Sequence, residues 1–175
     1  MKKKRLTIAS SLIIIAAAAA IILDVTLFFQ KDTVPEAQRT VLGINISGGT
    51  IITETDSHGG FHGDGITFLE IAFEDDTCLN QIKGNTSWKQ LPVSYPVDAL
   101  LHGTQNGSSS IGPYVTESGK KLFPKAETGY YYFKDRHTGA GGQGSKDVVN
   151  RYSFNFTVAL YDEDTRTLYY CEFDT

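Results

Sequence analysis

Four side chains within nine residues carry the densest chemistry of this sequence: Asp56, His58, His62 and Asp64, in the stretch DSHGGFHGDG. Two imidazoles and two carboxylates suit a hard-to-borderline divalent cation such as Zn²⁺ or Mn²⁺. Glycines 59, 60, 63 and 65 would let the backbone close round such an ion. The spacing His58-x-x-x-His62 resembles the helical pair of zinc peptidases, but no Glu follows His58 and the glycines oppose a helix. Asp56-x-His58 matches the first element of the metallophosphoesterase pattern, whose later Asn-His and Gly-His-x-His elements are absent. The plain alternative is a tight glycine turn between two strands, with Asp and His satisfying local backbone donors. That alternative weighs more than the metal reading, for which His58, His62 and Asp64 are the candidate ligands.

A second polar group, Asp135-Arg136-His137, ends a strand-like stretch and precedes another glycine-rich loop. Loops at one end of a sheet often carry binding residues. If both groups share one sheet end, Asp56, His58, His62, Asp64, Asp135 and His137 form a single candidate site for a ligand or partner. Taken alone, Asp135 and Arg136 read as solvated charges and His137 as a turn residue.

Other motifs fail on context. Gly139-x-Gly141-x-x-Gly144 has the dinucleotide spacing, but a strand follows it where the fingerprint needs a helix. Cys78 at a helix start invites a Cys–His pair with His102 or His137, yet Asp75 and Asp76 beside it oppose a thiolate. No Gly-x-Ser-x-Gly elbow is present. The two cysteines, Cys78 and Cys171, leave two readings open. They form a disulfide, worth on the order of 4 kcal/mol for so long a loop, or they are two small buried hydrophobes.

The elements that must position these groups follow from periodicity. Ile66–Glu74, Arg151–Tyr161 and Arg166–Asp174 alternate apolar and polar residues as strands do, and Thr128–Arg136 also looks like a strand. Val41–Ser47 and Thr50–Thr55, separated by Ser47-Gly48-Gly49, read as a hairpin. Asp75–Gly84 and Ser94–Gly103 read as short helices, the first with Cys78, Leu79 and Ile82 on one stripe and the second with Pro96 in its first turn. Trp88 and Leu91 anchor the connection between them. The expected fold is α+β: a mostly antiparallel sheet of about six strands, one face covered by the two helices, behind one N-terminal transmembrane helix.

That transmembrane helix is read from Leu6–Leu23, eighteen residues without a charge behind Lys2, Lys3, Lys4 and Arg5. As an α-helix the run spans about 27 Å, close to the hydrocarbon thickness of a bilayer. The apolar pattern continues past Ala16–Ala20 to Phe29, which favours a retained signal anchor over a cleaved signal peptide. The expected organisation is a cytoplasmic basic tail (1–5), a signal anchor (6–29), a linker (30–40, with a short helix from Pro35 as the alternative) and an extracytoplasmic domain (41–175). Positive charge stays on the cytoplasmic side. Net charge is −4 although four of the 16 basic residues lie in the first five positions, so the outer domain is acidic and has no electrostatic footprint for nucleic acid.

The stretches DSHGGFHGDG (56–65), Trp88-x-x-Leu91-Pro92, GYYYFKDRH (129–137), SFNFT (153–157) and LYYCEFDT (168–175) resemble a group of small membrane-anchored or exported proteins of Gram-positive bacteria. The resemblance covers most of the outer domain and implies its localisation. That group has no established activity, so it assigns no catalytic residue. Three functions compete: a membrane-anchored binding or interaction module without catalysis, with an envelope protein or glycan as partner; a metal-dependent hydrolase using His58, His62 and Asp64; and an accessory subunit of an envelope complex. The first is the expectation.

Overall fold

The computed structural model describes residues 36–59, 63–107, 109–137 and 148–175. The basic tail, the expected anchor, the first part of the linker, His62 and the Gly139–Gly144 loop lie outside the described residues. Among the described residues no helix is long and apolar enough to cross a membrane.

The described chain is α+β, built on a six-stranded antiparallel sheet. Its elements run α1 (Glu36–Leu42), β1 (Thr50–Asp56), β2 (Gly65–Ala72), α2 (Thr77–Lys83), β3 (Lys89–Gln90), α3 (Tyr95–His102), β4 (Thr104–Asn106), β5 (Ser109–Ile111), β6 (Thr116–Glu117), β7 (Lys120–Lys121), β8 (Gly129–Asp135), a 3-10 turn (Val148–Asn150), β9 (Asn155–Asp162) and β10 (Thr167–Asp174). The sheet order is β1-β2-β10-β9-β8-β3, and β4-β5 and β6-β7 are separate small hairpins. β8, β9 and β10 pair in sequence order as an antiparallel meander, and β10 joins it to β2. Both expected helices form, α2 burying Cys78, Leu79 and Ile82 and ending at Gly84, α3 carrying proline in its first turn.

Successive strand residues point to opposite faces, and here both faces are buried. On the first face Leu69, Ile71, Ala159, Tyr161, Leu168 and Tyr170 pack under Leu42, Ile46, Trp88 and α2. On the second, Phe68, Phe133, Phe156, Val158, Leu160 and Cys171 pack under α3, Val115, Phe123 and Val148. The expectation of one covered face with both helices on it is therefore corrected: α2 and α3 lie on opposite faces. Alternation misled because Thr157 and Ala159 look like a solvent side, yet both are fully buried. A small residue within a covered sheet buries as completely as a large one.

A further correction concerns the start of the domain. Val41–Ser47 is no strand; residues Glu36–Leu42 form α1, the alternative to the linker reading. Gly43 ends α1 in the left-handed region (φ 64°), where glycine is favoured. The Trp88 indole N–H donates to the Leu42 carbonyl at 3.2 Å, and Asn85 Nδ2 donates to the Gly43 carbonyl at 3.1 Å. These bonds satisfy the open end of the helix and tie it to the sheet. Leu42 is itself buried, so α1 belongs to the domain's core. After α3, Thr104–Asn106 and Ser109–Ile111 pair as the β4–β5 hairpin.

The cysteine question is answered in favour of two buried thiols. Cys78 and Cys171 are free and buried, and they belong to core clusters on opposite faces of the sheet. A disulfide would have to pass through the sheet, so the candidate pairing is corrected.

Candidate functional site

Antiparallel order brings the end of β1, the start of β2, the end of β10, the start of β9 and the end of β8 to one edge of the sheet. The register sets Asp56 opposite Thr67, Asp174 opposite both Gly65 and Asn155, and Asp135 opposite Phe156. The two polar groups separated by more than 70 residues in sequence thus share one rim.

At that rim the 57–66 segment closes on itself. The Ser57 N–H donates to the Ile66 carbonyl at 2.9 Å, and the Ile66 N–H donates to Ser57 Oγ at 2.9 Å. Gly65 is required by close approach: a Cβ there would stand 2.6 Å from the backbone of His58. The His58 N–H donates to Asp56 Oδ1 at 2.9 Å, the local Asx turn the sequence allows. This backbone bond, followed by the bond from the ring, holds the Asp56 carboxyl below its ordinary 3.8.

The His58 ring bridges three strands. Nδ1 lies 2.9 Å from Asp56 Oδ1 and 3.0 Å from Thr67 Oγ1, and Nε2 lies 3.3 Å from Asp174 Oδ2. Arg136 continues the chain: its Nη2 donates to the same Asp174 oxygen at 2.9 Å and to the Phe156 carbonyl at 3.2 Å. A single line of contacts therefore runs Asp56–His58–Asp174–Arg136, from β1 across β2 and β10 to the end of β8. Both ring nitrogens of His58 are engaged, so neither is free to take a proton from a substrate while the line stands.

Asp135 lies on the other side of the sheet. By alternation it follows Tyr131 and Phe133 onto the second face, whereas Asp174 follows Tyr170 on the first. Its side chain is fully buried, and Arg151 Nη2 donates to Oδ2 at 2.6 Å, a short charge-assisted bond. The His137 N–H donates to Asp135 Oδ1 at 3.1 Å. So the expected single cluster is one rim divided by the sheet into two ion-paired groups.

Not every candidate joins. Asp64 is exposed and makes no hydrogen bond or ion pair with another described residue. His62 lies outside the described residues. Among the described residues no three His, Cys, Asp or Glu side chains stand together as a metal set. Cys78 offers no nucleophile, since burial pushes its thiol up to about 12. His102, considered as its base, sits on α3 across the sheet with Nδ1 2.7 Å from Asp98 Oδ1.

Sequence reasoning missed Asp174 and Arg151 and undervalued Arg136. The signal for Asp174 was present, since a strand ending in Asp must lay that carboxylate at the rim once β10 pairs with β2. Arg151 had none, because a 15-residue connection separates it from Asp135. Comparison of the chain with protein-family models, with curated proteins and with solved structures finds no match.

Proposed function

We propose that this chain is an extracytoplasmic binding module, held at the cell membrane by residues 6–29 with its N-terminus cytoplasmic, and that it meets its partner through the rim of the sheet. The observation that carries the reading is the line Asp56–His58–Asp174–Arg136. Four charged or polar side chains from separate parts of the chain hold one another in place before any ligand arrives. Such preorganisation lowers the ordering cost of association. The engaged nitrogens of His58 and the high thiol pKa of Cys78 favour recognition over catalysis. The anchor rests on the uncharged run behind Lys2–Arg5.

The test is affinity capture with the full chain in lipid nanodiscs, offered to solubilised envelope of the cells that express it. The wild-type chain should retain a component that the His58→Ala/Arg136→Ala variant loses, while Lys83→Ala, at the other end of the sheet, retains it. Equal retention by all three would contradict recognition through the rim. Metal analysis of the same preparations addresses the hydrolase alternative: stoichiometric Zn²⁺ or Mn²⁺ lost on His58→Ala would replace the binding reading with a metal centre.

A further inference from the structure

The two outer edges of the sheet are finished differently. On one side β3, two residues long, lies against β8, and β8 is buried along most of its length. A short edge strand leaves little backbone for another chain to pair with. On the other side β1 runs seven residues, TIITETD, with no lysine and no proline. Among the described residues no strand pairs with β1 beyond β2. Every second residue of β1 is exposed and none is buried. Its hydrogen bonds and ion pairs go to β2, to His58 and, from Thr55 Oγ1 at 3.3 Å, to Glu117.

The pairing fixes which backbone groups stay open. The Ser57 N–H donates to the Ile66 carbonyl, so in the alternating antiparallel pattern Thr55 and Thr53 bond inward to Phe68 and Glu70. Glu54 and Asp56 then turn their N–H and C=O groups outward, where a further strand would add. The register slips at a bulge between Ile51 and Thr53. Ile52 there is 59% exposed, an apolar contact beside the open backbone.

The side chains of this edge select the strand that adds. Glu54 is exposed, and its carboxylate makes no hydrogen bond or ion pair with another described residue. Asp56 and Glu117 are exposed as well, and β1 carries no cation. Residues directly opposite on paired strands stand about 5 Å apart, where opposite charges attract and like charges repel. A second copy of this chain brings the same carboxylates and no cation to match them. An extended segment with lysine or arginine at alternate positions meets Glu54 and Asp56 from one face. The acids that repel like strands are thus what admits this one.

We infer that the open edge of β1 takes up an extended, basic segment of a partner protein as a further strand, which ends at the rim where Asp56 meets His58. The inference rests on the binding-module reading and names the partner's chemistry.

Titration calorimetry of the full chain in phosphatidylcholine nanodiscs tests it with two capped nonapeptides, one alternating lysine with valine and the other glutamate with valine. Saturable binding of the lysine peptide alone is expected, together with slower hydrogen exchange of the Glu54 amide in the complex. Glu54→Lys should weaken binding about tenfold, as an attraction becomes a repulsion. Glu54→Pro, which removes the outward N–H, should weaken it further. Asp164→Lys, in the turn between β9 and β10, should leave it unchanged. If the proline variant does not fold, Glu54→Lys and the exchange of the Glu54 amide carry the test. Equal binding of both peptides, binding indifferent to Glu54→Lys, or unchanged exchange at Glu54 each overturns the inference. Self-association of the wild-type chain that Glu54→Lys alters would assign the edge to a second copy and overturn it as well. If the lysine peptide does not bind while envelope capture still depends on His58 and Arg136, this inference falls and the rim reading stands. Absence of both peptide binding and capture overturns the two together.

Discussion

Both ends of the sheet bury apolar side chains, and they differ in what their polar groups do. At the far end, where β9 turns into β10, Tyr161 and Leu168 are fully buried and Phe73 nearly so, all packed with α2 and the Ile44–Ile46 segment. Ion pairs there, Lys83–Glu163 at 3.2 Å and Arg166–Asp76 at 2.8 Å, are exposed. A cleft of about 280 Å³ opens beside α2, lined in part by Phe73, Asp75 and Gln81. At the rim Phe154, Phe156 and Phe173 are buried as well, but there polar side chains bridge separate strands and fix one another, and the Asp135 side chain is fully buried. The far end holds the fold by burying apolar surface. The rim adds charged groups held in set positions, one of them, Asp135, taken wholly out of water.

Breaking the far end should cost most. Leu168→Ala removes a fully buried side chain, and large-to-small changes of this kind destabilise by about 2–5 kcal/mol. Denaturant unfolding should show it as a lower midpoint at unchanged slope.

The buried half of the rim comes next. Asp135→Asn leaves Arg151 without its carboxylate, and breaking a buried pair costs about 3 kcal/mol. The double variant Asp135→Leu/Arg151→Met should recover much of that loss, because no charge is then left uncompensated. A double variant as unstable as Asp135→Asn would mean that the pair supplies folding energy outright, and the contrast between the two ends would fail.

The open half of the rim should respond to acid. Asp56 is held below its ordinary 3.8 by bonds from His58, so its contribution is complete above the usual carboxylate range and is lost as pH falls through the lowered value. Thermal unfolding followed between about pH 6 and pH 2 should show this loss, and Asp56→Asn should flatten it. The smallest effect belongs to Lys83→Ala at the far end, whose exposed pair is worth no more than about 1 kcal/mol.

The same contrast marks how far the sequence could be read. Regular alternation in Ile66–Glu74, Arg151–Tyr161 and Arg166–Asp174 revealed the strands, and the stripe Cys78-Leu79-Ile82 between Asp76 and Gly84 revealed α2. The second buried face was not legible, since Thr157 and Ala159 carry no apolar bulk to signal it. The rim was half legible. Asp56 and His58 sit two residues apart and declare a local turn. Their link to Arg136 depends on β10 lying between β2 and β9, a long-range pairing that no local pattern encodes. The division of Asp135 from Arg136 needed only the two-residue period of β8, which places neighbours on opposite faces.

Site-specific photocrosslinking in intact cells tests the central claim most directly. A photoreactive side chain is placed at Tyr152 on the rim or at Lys83 at the far end, in otherwise unchanged full chains. The rim position should yield a discrete adduct and the far-end position none. An adduct from Lys83 with none from Tyr152 would contradict recognition through the rim.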